Sequence, residues 1–415
     1  MDVSVHVVLG ATTVHAGTLV SHRGRGTESA TFAYVSSYVA LPGTYALDPQ
    51  LPLGTSPRQT RIAATLFGAF TDGAPDRWGK TLVKRREYAA ARAEGRTARS
   101  LSEVDYLLGV RDDLRQGALR FRAGRAEGAG PFLADEGSGV PALTDLPELM
   151  DLAARAETDT ADLTDLQRLI RVGSSLGGAR PKAHVLGSDG SIAIAKFPSA
   201  AHDTWNVMAW EKVALDLARA AGIAVPPSQL LRLAGRSVLI VDRFDRRRDG
   251  TRVGYLSAMT MLEASEGDQR SYLEIAEVIE NHSDNASEEL EQLWRRIVFS
   301  VLISNTDDHL RNHGFLHQHD DTWRLSPAFD LNPNPEPGPR HLSTAIDISD
   351  DTASIAVALG VASEFRLDDE RARQVLAEVA TAVSGWRTVA AAFGLPEEDI
   401  DEMTPAFDAL KTVPF

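Results

Sequence analysis

The sequence predicts an α+β fold in which a strand-rich first part is followed by a mostly helical second part. Two kinds of pattern support this: Val3–Leu9 and His15–His22 mix β-branched and polar residues as strands do, whereas Ser287–Ile303 and Asp368–Val383 have helical spacing. Hydrophobic residues make up 43% and charged residues 24% of the 415, an ordinary globular balance. This length predicts two or three folding units.

The pattern changes twice along the chain. The first part adds a predicted strand over Ala30–Val39 and helices over Ile62–Phe70 and Asp76–Ala91, and a Gly/Ala/Pro-rich stretch, Ala123–Val140, predicts a linker or long loop. A second strand-rich part with one helix then precedes the helical part. After the linker, helices are predicted over Leu146–Ile170 and Asn206–Ala221. Strands are predicted over Ala183–Leu186, Ser191–Phe197, Gln229–Leu233 and Ser237–Phe244. We therefore expect domains at residues 1–125, 126–255 and 256–415.

Composition limits the function. The net charge is −15, which disfavours direct binding of nucleic acid or of anionic lipid unless a local basic patch exists. Cysteine is absent, which excludes disulfides, thiolate zinc sites and cysteine nucleophiles. No apolar run approaches the ~20 residues of a membrane span, and the N-terminus lacks the basic start of a signal peptide. We expect a cytoplasmic protein.

A Gly/Ser-rich stretch, Gly173–Lys182, could bring backbone N–H groups close to a polyphosphate, with charge from Arg180 or Lys182. Such stretches more often only turn the chain, and this one fits neither common nucleotide motif. Lys196 ends an apolar strand and could hold nucleotide phosphates, with Glu211 in the next helix as its partner. Either could equally be an ordinary surface or snorkelling residue.

The strongest signal is Ser304–Asn312 followed by Leu325–Leu331. Phosphoryl transfer needs an aspartate to orient or deprotonate the acceptor hydroxyl, and an asparagine and a second aspartate to hold Mg²⁺. Asp307, Asn312 and Asp330 provide this set, and the five-residue interval from Asp307 to Asn312 equals that of the kinase catalytic loop. The alternative is that these residues only cap a helix and turn a loop.

Two further clusters carry weaker signals. His309, His313, His317 and His319 fall within eleven positions, but no single helix or strand would present them together, so a zinc site is disfavoured. The basic run Arg243–Arg248 is most simply a solvated face, or a surface for an acidic partner.

Taken together, these segments resemble the HipA-like serine/threonine kinases, the toxin components of bacterial toxin–antitoxin pairs. The resemblance runs nearly end to end and in order. Its motifs are Phe67–Lys80 (N-terminal subdomain), Ser175–Lys182 (phosphate loop), Ala195–Pro198 (ATP-binding lysine), the Glu211-to-Gly222 interval, Asp242–Arg246 (aspartate replacing a usual glutamate), Asn305–Asn312 (catalytic loop) and Ala328–Leu331 (metal-binding segment).

The resemblance implies a protein-kinase-like, two-lobed fold: an N-terminal subdomain, a β-rich small lobe and a helical large lobe, matching the three expected domains. It implies catalysis by Asp307, Asn312 and Asp330, with Mg²⁺ held by Asn312 and Asp330. It also implies autophosphorylation at Ser175, which the register of Gly177–Ala179 favours over Ser174. The implied ATP-binding residues are Ser175, Leu176, Gly177, Gly178, Ala179, Arg180, Lys182, Lys196, Glu211 and His309.

The expected activity is ATP- and Mg²⁺-dependent phosphorylation of Ser or Thr on a protein, often an aminoacyl-tRNA synthetase, under control of a DNA-binding antitoxin of HipB type. Specific nucleic-acid binding by this chain alone and membrane binding are not expected. Two alternatives remain open: a small-molecule or lipid kinase with the same Asp/Asn/Asp chemistry, and a degenerate kinase that serves as a binding module. The target, the antitoxin, toxicity and the oligomeric state do not follow from the sequence.

Overall fold

A computed structural model describes residues 1–24, 27–62, 64–124, 131–133, 139–158, 160–173, 180–187, 189–199 and 201–413. Contacts divide the chain into two compact units. The first unit comprises Met1–His202, Asp242–Leu256 and His319–Asp321, and the second comprises Asp203–Val241, Ser257–Gln318 and Thr322–Phe415. The three expected domains are thus not the divisions that the contacts mark, and their boundaries stay a prediction.

Strands occur throughout both units. They are β1 Asp2–Leu9, β2 Thr12–Arg23, β3 Glu28–Tyr34, β4 Arg58–Gln59, β5 Leu119–Ala123, β6 Lys182–Leu186, β7 Ile192–Lys196, β8 Ser228–Leu233, β9 Arg236–Asp242, β10 Tyr255–Ser257, β11 Gly314–His317 and β12 Trp323–Leu325. The strands predicted from alternation are confirmed in place. The third one is shorter than predicted, because the chain turns into a helix after Tyr34.

Helices fill most of the second unit. The α-helices are α1 Ser36–Val39, α2 Gly68–Asp72, α3 Arg77–Ala93, α4 Glu103–Leu108, α5 Leu146–Glu157, α6 Leu163–Gly173, α7 Val207–Ala220, α8 Ala258–Met261, α9 Tyr272–His282, α10 Ala286–Leu302, α11 Ile355–Gly360, α12 Asp369–Ser384, α13 Trp386–Ala392 and α14 Glu397–Glu402, and the 3₁₀ helices are Leu143–Asp145, Leu310–Asn312, Ala362–Phe365 and Thr404–Thr412. Among the described residues, none of these helices is long and apolar enough to cross a membrane.

Two helix predictions are wrong in extent. The predicted helix over Ile62–Phe70 exists only as the short α2, and the predicted helical region over Leu146–Ile170 is divided into α5 and α6. The spacing of apolar residues does not reveal the break between α5 and α6, because both helices bury regularly spaced leucines. The segment between them begins with Thr158, whose hydroxyl donates to the carbonyl of Ala154 and competes with continuation of α5.

The first unit is built on an antiparallel sheet with the strand order β4-β3-β2-β1-β5. Val3, Val5 and Val7 of β1 are fully buried on one face, which the alternating sequence requires. Phe70 packs on the sheet, with its ring centroid 5.6 Å from that of Phe32 and 6.0 Å from that of Phe121. Strands β6 and β7 lie outside this sheet and pair antiparallel with each other, with Lys182 opposite Lys196.

Only part of the basic run is the solvated face that its composition suggests, because Arg247 and Arg248 are exposed but Arg243 is not. Arg243 is buried and binds the Asp245 carboxylate through Nε and Nη2, at 2.8 and 2.6 Å. Its Nη1 donates to His184 Nε2 (2.9 Å), so the other ring nitrogen, Nδ1, carries the hydrogen and donates to the carbonyl of Val172 (2.9 Å). Asp245 also accepts from the backbone N–H of Gly117 (2.8 Å). These bonds join four separate segments of the first unit.

The pKa of Asp245 shows which effect dominates in this cluster. Burial alone would raise the pKa of the carboxyl, and the neighbouring guanidinium groups of Arg243 and Arg246 more than offset that effect, so the pKa lies below its ordinary value. The aspartate is therefore charged in the folded protein, and its charge is stabilised by buried partners rather than by water.

The second unit has its core where α7, α10, α12 and α13 meet. Trp210 of α7 contacts Trp386, whose ring stacks on Phe407 at a centroid distance of 4.2 Å. Trp294 of α10 is fully buried and donates its indole N–H to the carbonyl of Ala358 (2.9 Å). The antiparallel pairs β8–β9 and β11–β12 lie in this unit as well. Its helical character agrees with the sequence prediction.

We predict that Arg243→Met lowers the free energy of unfolding by about 3–5 kcal/mol, because it leaves the Asp245 carboxylate buried without its bidentate partner. Urea denaturation at neutral pH measures the change. Arg248→Met is the matched control: Arg248 is exposed, so its substitution should change stability by no more than about 0.5 kcal/mol. Equal losses in the two variants would contradict the assignment of a buried ionic cluster.

Candidate functional site

The loop after α10 carries the strongest sequence signal, and its base is buried. Helix α10 is buried on every side over its last turns, from Leu293 to Leu302. Ser304 then adopts a left-handed conformation (φ +52°), and the backbone N–H of Asn305 bonds back to the carbonyl of Ser300 (2.8 Å). This tight reversal ends the helix and directs the following residues to the surface.

Asp307 is exposed, and Asn312 is fixed beside it. Residues Leu310–Asn312 form a single 3₁₀ turn, whose last N–H donates to the carbonyl of His309 (2.8 Å). The side-chain amide Nδ2 of Asn312 donates to the backbone carbonyl of Asp307 (3.0 Å). One hydrogen bond thus connects the two loop residues that the sequence singled out, and it engages the nitrogen end of the amide.

Asp308 has a different environment from its neighbour. Its carboxylate is buried, accepts hydrogen bonds from the Tyr272 hydroxyl and from Ser300 Oγ (3.0 Å), and lies 3.1 Å from His313 Nε2. Burial alone would raise the pKa of this carboxyl, but His313 and the two hydroxyl donors more than offset it, and the pKa lies below its ordinary value. The Thr344 hydroxyl donates to the Asp308 carbonyl (2.7 Å). Asp308 therefore anchors the loop from beneath.

Asp330 is held next to this loop by asparagine side chains. Its backbone is left-handed (φ +58°), a conformation that aspartate tolerates better than most residues. Asn332 Nδ2 donates to the Asp330 carbonyl (3.2 Å), and the Asn332 backbone N–H donates to Oδ1 of the buried Asn305 (3.2 Å). Asn334 Nδ2 reaches Thr306 Oγ1 (3.0 Å). The structure thus brings Asp307, Asn312 and Asp330 into one part of the second unit.

The predicted phosphate-loop residues Ser175, Leu176, Gly177, Gly178 and Ala179 lie outside the described residues. Of the flanking positions, Arg180 is partly exposed and Lys182 is buried. Lys182 Nζ binds Oδ2 of Asp76 (3.0 Å), the residue that caps α3 by accepting from the Gly79 N–H. Burial raises the pKa of the Asp76 carboxyl, and Lys182 opposes that rise only in part. Lys182 is therefore engaged within the first unit.

The remaining predicted residues are distributed over both units. Lys196 ends β7 in the first unit and is partly exposed, whereas Glu211 is buried in α7 of the second unit. Their predicted pairing stays a prediction. His309 is partly buried, and its Nδ1 lies in the interior without a hydrogen-bond partner among the described residues. A buried nitrogen of this kind usually has a hydrogen-bond partner, which can be a water or a ligand where no described residue provides one.

The histidine cluster does not form a metal site. Within the described part of the chain, which includes all four of these histidines, no group of three or more His, Asp or Glu side chains is arranged to hold a metal ion. His313 instead packs edge to face on Tyr272, at a centroid distance of 5.3 Å, next to Asp308. His313 therefore has a structural role next to the loop.

Sequence reasoning did not predict the role of four residues that support the candidate site. Asn305, Asn332, Tyr272 and Ser300 make the hydrogen bonds that fix the loop and the Asp330 segment. Asn305 lies in the predicted catalytic loop and Asn332 begins an Asn/Pro-rich stretch, but neither pattern indicates these hydrogen bonds. Tyr272 lies 36 residues before Asp308 in the chain, and no local pattern connects the two.

Comparison with known proteins places this arrangement in a defined class. The sequence model of the HipA-like C-terminal domain matches residues 174–386, just over half of the chain. That range contains the loop of Asp307, the segment of Asp330 and both predicted lysines. The chain therefore belongs to the HipA-like family, and the family predicted from the motifs is confirmed.

Two curated relatives and one solved structure are similar to the chain. A Haemophilus influenzae protein named "Putative kinase" is 26% identical over 30% of this chain and 42% of its own length, and a Sinorhizobium fredii protein, "Putative kinase Y4dM", is 30% identical over 34% and 37%. The chain thus spans about two fifths of these relatives. HipA of Shewanella oneidensis MR-1, solved with HipB and operator DNA, matches with a TM-score of 0.68 and 15% identity over 99% of this chain and 96% of that chain.

The similarity to HipA extends over almost the whole chain and concerns the fold. The mixed α and β architecture of this protein is that of a HipA-like, kinase-type chain, which confirms the predicted fold class.

We predict that Asp307 and Asp308 differ sharply in their effect on stability. Asp308→Asn should lower the free energy of unfolding at pH 7 by about 2–4 kcal/mol, because two buried hydroxyl donors and His313 lose a charged acceptor. Asp307→Asn, at an exposed position, should cost less than about 1 kcal/mol. Chemical denaturation of the two variants in parallel gives the comparison.

The pH dependence provides a second criterion. The folded pKa of Asp308 is depressed, so its stabilising contribution is present above the ordinary carboxyl pKa of 3.8 and disappears as the pH falls below it. The difference in free energy of unfolding between wild type and Asp308→Asn should therefore become smaller below about pH 4. A gap that stays constant between pH 7 and pH 3 would show that the charge of Asp308 is not what stabilises the loop.

Proposed function

We propose that this protein is an ATP- and Mg²⁺-dependent serine/threonine protein kinase of HipA type. The observation that carries the proposal is the exposed Asp307 carboxylate on a rigid loop, joined through its own carbonyl to the Asn312 amide and tied through Asn305 to the segment of Asp330. Membership of the HipA-like family supports the same chemistry.

Asp307 is the proposed orienting group and base. Its carboxylate would accept the proton of a Ser or Thr hydroxyl while that oxygen bonds to the γ-phosphorus of ATP. The bond from the γ-phosphorus to the β,γ-bridging oxygen breaks in the same transfer, and ADP leaves with that oxygen. Exposure suits Asp307 to this role, since a protein substrate must reach it, and the buried Asp308 carboxylate is already occupied by hydrogen bonds.

Asn312 and Asp330 fit a magnesium ion. Mg²⁺ takes oxygen ligands and is usually held in kinases by one or two side chains together with substrate phosphates. The Asn312 nitrogen is engaged by the Asp307 carbonyl, which orients the amide oxygen Oδ1 as the ligand, and Asp330 adds a carboxylate. When bound there, the ion would supply charge neutralisation at the phosphates.

For the nucleotide we propose Lys196, Glu211, Arg180 and His309, with the loop Ser175–Ala179. Lys196 would contact the phosphates, and Glu211 would position it. The orphan Nδ1 of His309 could accept a hydrogen bond from the ligand or donate one to it. Lys182 is already paired with Asp76, so its contribution would be to hold the start of β6 after the loop rather than to bind phosphate directly.

For substrate and partner we propose what the family resemblance implies. The acceptor would be a translation-related protein, such as an aminoacyl-tRNA synthetase, in the cytoplasm, and the activity would be that of a toxin. The Shewanella HipA structure contains HipB and operator DNA, which supports a DNA-binding antitoxin of HipB type for this chain. A net charge of −15 favours association with such a basic partner.

We predict that Asp307→Asn and Asp330→Asn each abolish phosphoryl transfer by different routes. Asp330→Asn should weaken binding of Mg²⁺·ATP, because it removes an anionic ligand. Asp307→Asn should leave ATP affinity nearly intact, because its carboxylate acts on the acceptor hydroxyl. Transfer is measured with γ-labelled ATP and cell lysate, and nucleotide affinity by calorimetry.

Asp369→Asn, at a highly exposed position of α12, is the matched control and should transfer phosphate at the wild-type rate. Label on a protein band supports a protein kinase, whereas label confined to small molecules or lipid would favour the alternative acceptors. Wild-type transfer by Asp307→Asn would refute the assignment of that residue.

We further predict that Ser175 becomes phosphorylated when the protein is incubated with Mg²⁺·ATP, and that this modification inactivates it. A phosphate adds roughly −1.5 to −2 charges and would repel the nucleotide phosphates that the loop is proposed to hold. Intact mass and fragmentation locate the modification. Ser175→Ala should lose it and Ser174→Ala should keep it, and phosphate mapped elsewhere would remove this regulation while leaving the kinase proposal in place.

A further inference from the structure

Helix α3 of the first unit is strongly basic in an acidic protein. The segment from Arg77 to Arg99 contains eight Lys or Arg and two Glu, a net charge of +6, while the whole chain has a net charge of −15. This segment is therefore positively charged although the protein as a whole is negatively charged. The basic run Arg243–Arg248 is not equivalent, because part of it is buried in the ionic cluster described above.

Four of the six basic side chains of α3 lie on the side that faces solvent. The inner side of the helix buries Trp78, Leu82, Val83 and Ala91. Successive residues of a helix are ~100° apart, and on the opposite side of α3 four cations and one aromatic residue lie within an arc of about 100°. We call this surface the α3 face, and it consists of Arg77, Lys84, Arg85, Tyr88 and Arg92.

The one acidic residue of α3 does not neutralise this face. Glu87 is buried and receives hydrogen bonds from the Arg96 guanidinium (2.5 Å) and the Arg99 N–H (2.8 Å). The bond from Arg96 lowers the pKa of Glu87 to about 2, so its charge is compensated at the inner edge of the helix. Lys80 is paired separately with Glu103 (2.7 Å).

Three of the four cations of the α3 face have no acidic partner among the described residues. Arg77, Lys84 and Arg92 are exposed and make no ion pair with any described residue. Arg85 is partly exposed. Tyr88 lies between them on the face with 57% of its surface exposed. An exposed aromatic ring flanked by cations can stack on a nucleobase while the cations contact phosphates.

We propose that the α3 face binds single-stranded nucleic acid without sequence preference, with Arg77, Lys84, Arg85 and Arg92 contacting phosphates and Tyr88 stacking on an unpaired base. The cations extend over about 22 Å of helix, a length that the closely spaced charges of a nucleic-acid strand can follow continuously. An acidic protein segment would match the charge but would not use the exposed ring as a stacking platform. The proposal does not depend on the proposed kinase function.

The experiment titrates the full-length protein into a fluorescein-labelled RNA of mixed sequence, about 20 nucleotides long, and follows fluorescence anisotropy at several KCl concentrations. Four phosphate contacts predict a log–log salt slope of about −3 and a micromolar or weaker dissociation constant. The quadruple variant R77Q/K84Q/R85Q/R92Q should bind at least about tenfold more weakly.

The matched control removes the same charge elsewhere. The variant R247Q/R248Q/R373Q/K411Q changes four other exposed cations and should bind within about twofold of wild type. Both variants should keep the wild-type thermal unfolding midpoint, which separates a lost surface from a lost fold. Equal weakening by the two quadruple variants, or no binding by the wild type at about 100 μM protein, would overturn the proposal.

Tyr88→Ala and two competitors test the kind of partner. Tyr88→Ala should weaken binding of the single strand by at least about fivefold and leave binding of a duplex of the same length nearly unchanged, since stacking needs an unpaired base. Equal effects on the two ligands would overturn the assignment to single strands. Poly-L-glutamate of the same charge should compete at least about tenfold less well than unlabelled RNA, and competition equal to that of RNA would assign the face to an acidic protein instead.

Discussion

The buried carboxylate of Asp308 is the constraint on which the candidate site depends. It accepts hydrogen bonds from Tyr272 of α9 and Ser300 of α10, so it fixes the loop to two helices of the second unit at once. With one side chain of the Asp307–Asp308 pair held in the interior, the other is left exposed. Two chemically identical residues, adjacent in sequence, thereby acquire opposite environments.

A second layer of hydrogen bonds extends this order to the Asp330 segment. Asparagine suits the task because its amide both donates and accepts. Asn305 accepts from the Asn332 backbone, and Asn332 donates to the Asp330 carbonyl, so the left-handed backbone at Asp330 is stabilised by its neighbours. A strained residue that is held by its surroundings in this way is typical of a site where geometry matters more than stability.

Sequence reasoning reached the candidate catalytic segments because their spacing is local. The five residues from Asp307 to Asn312 close a single turn, and a short interval of this kind can be read directly from the sequence. It reached neither Tyr272 nor Ser300, because their roles depend on contacts formed only when α9, α10 and the loop pack together. The division between α5 and α6 has a different, local cause, since the Thr158 hydroxyl bonds to the Ala154 carbonyl at the end of α5.

Surface charge is another property that the sequence alone does not locate correctly. The basic run Arg243–Arg248 was the obvious candidate for an electrostatic surface, yet Arg243 is buried on Asp245 and His184. The sequence of helix α3 does not stand out as basic, because its six cations are spread over 17 residues and interrupted by apolar ones. Helical geometry gathers most of them on one side and turns Glu87 away. The density of charge on a surface is therefore determined by periodicity and burial, and neither net charge nor the length of a basic run measures it.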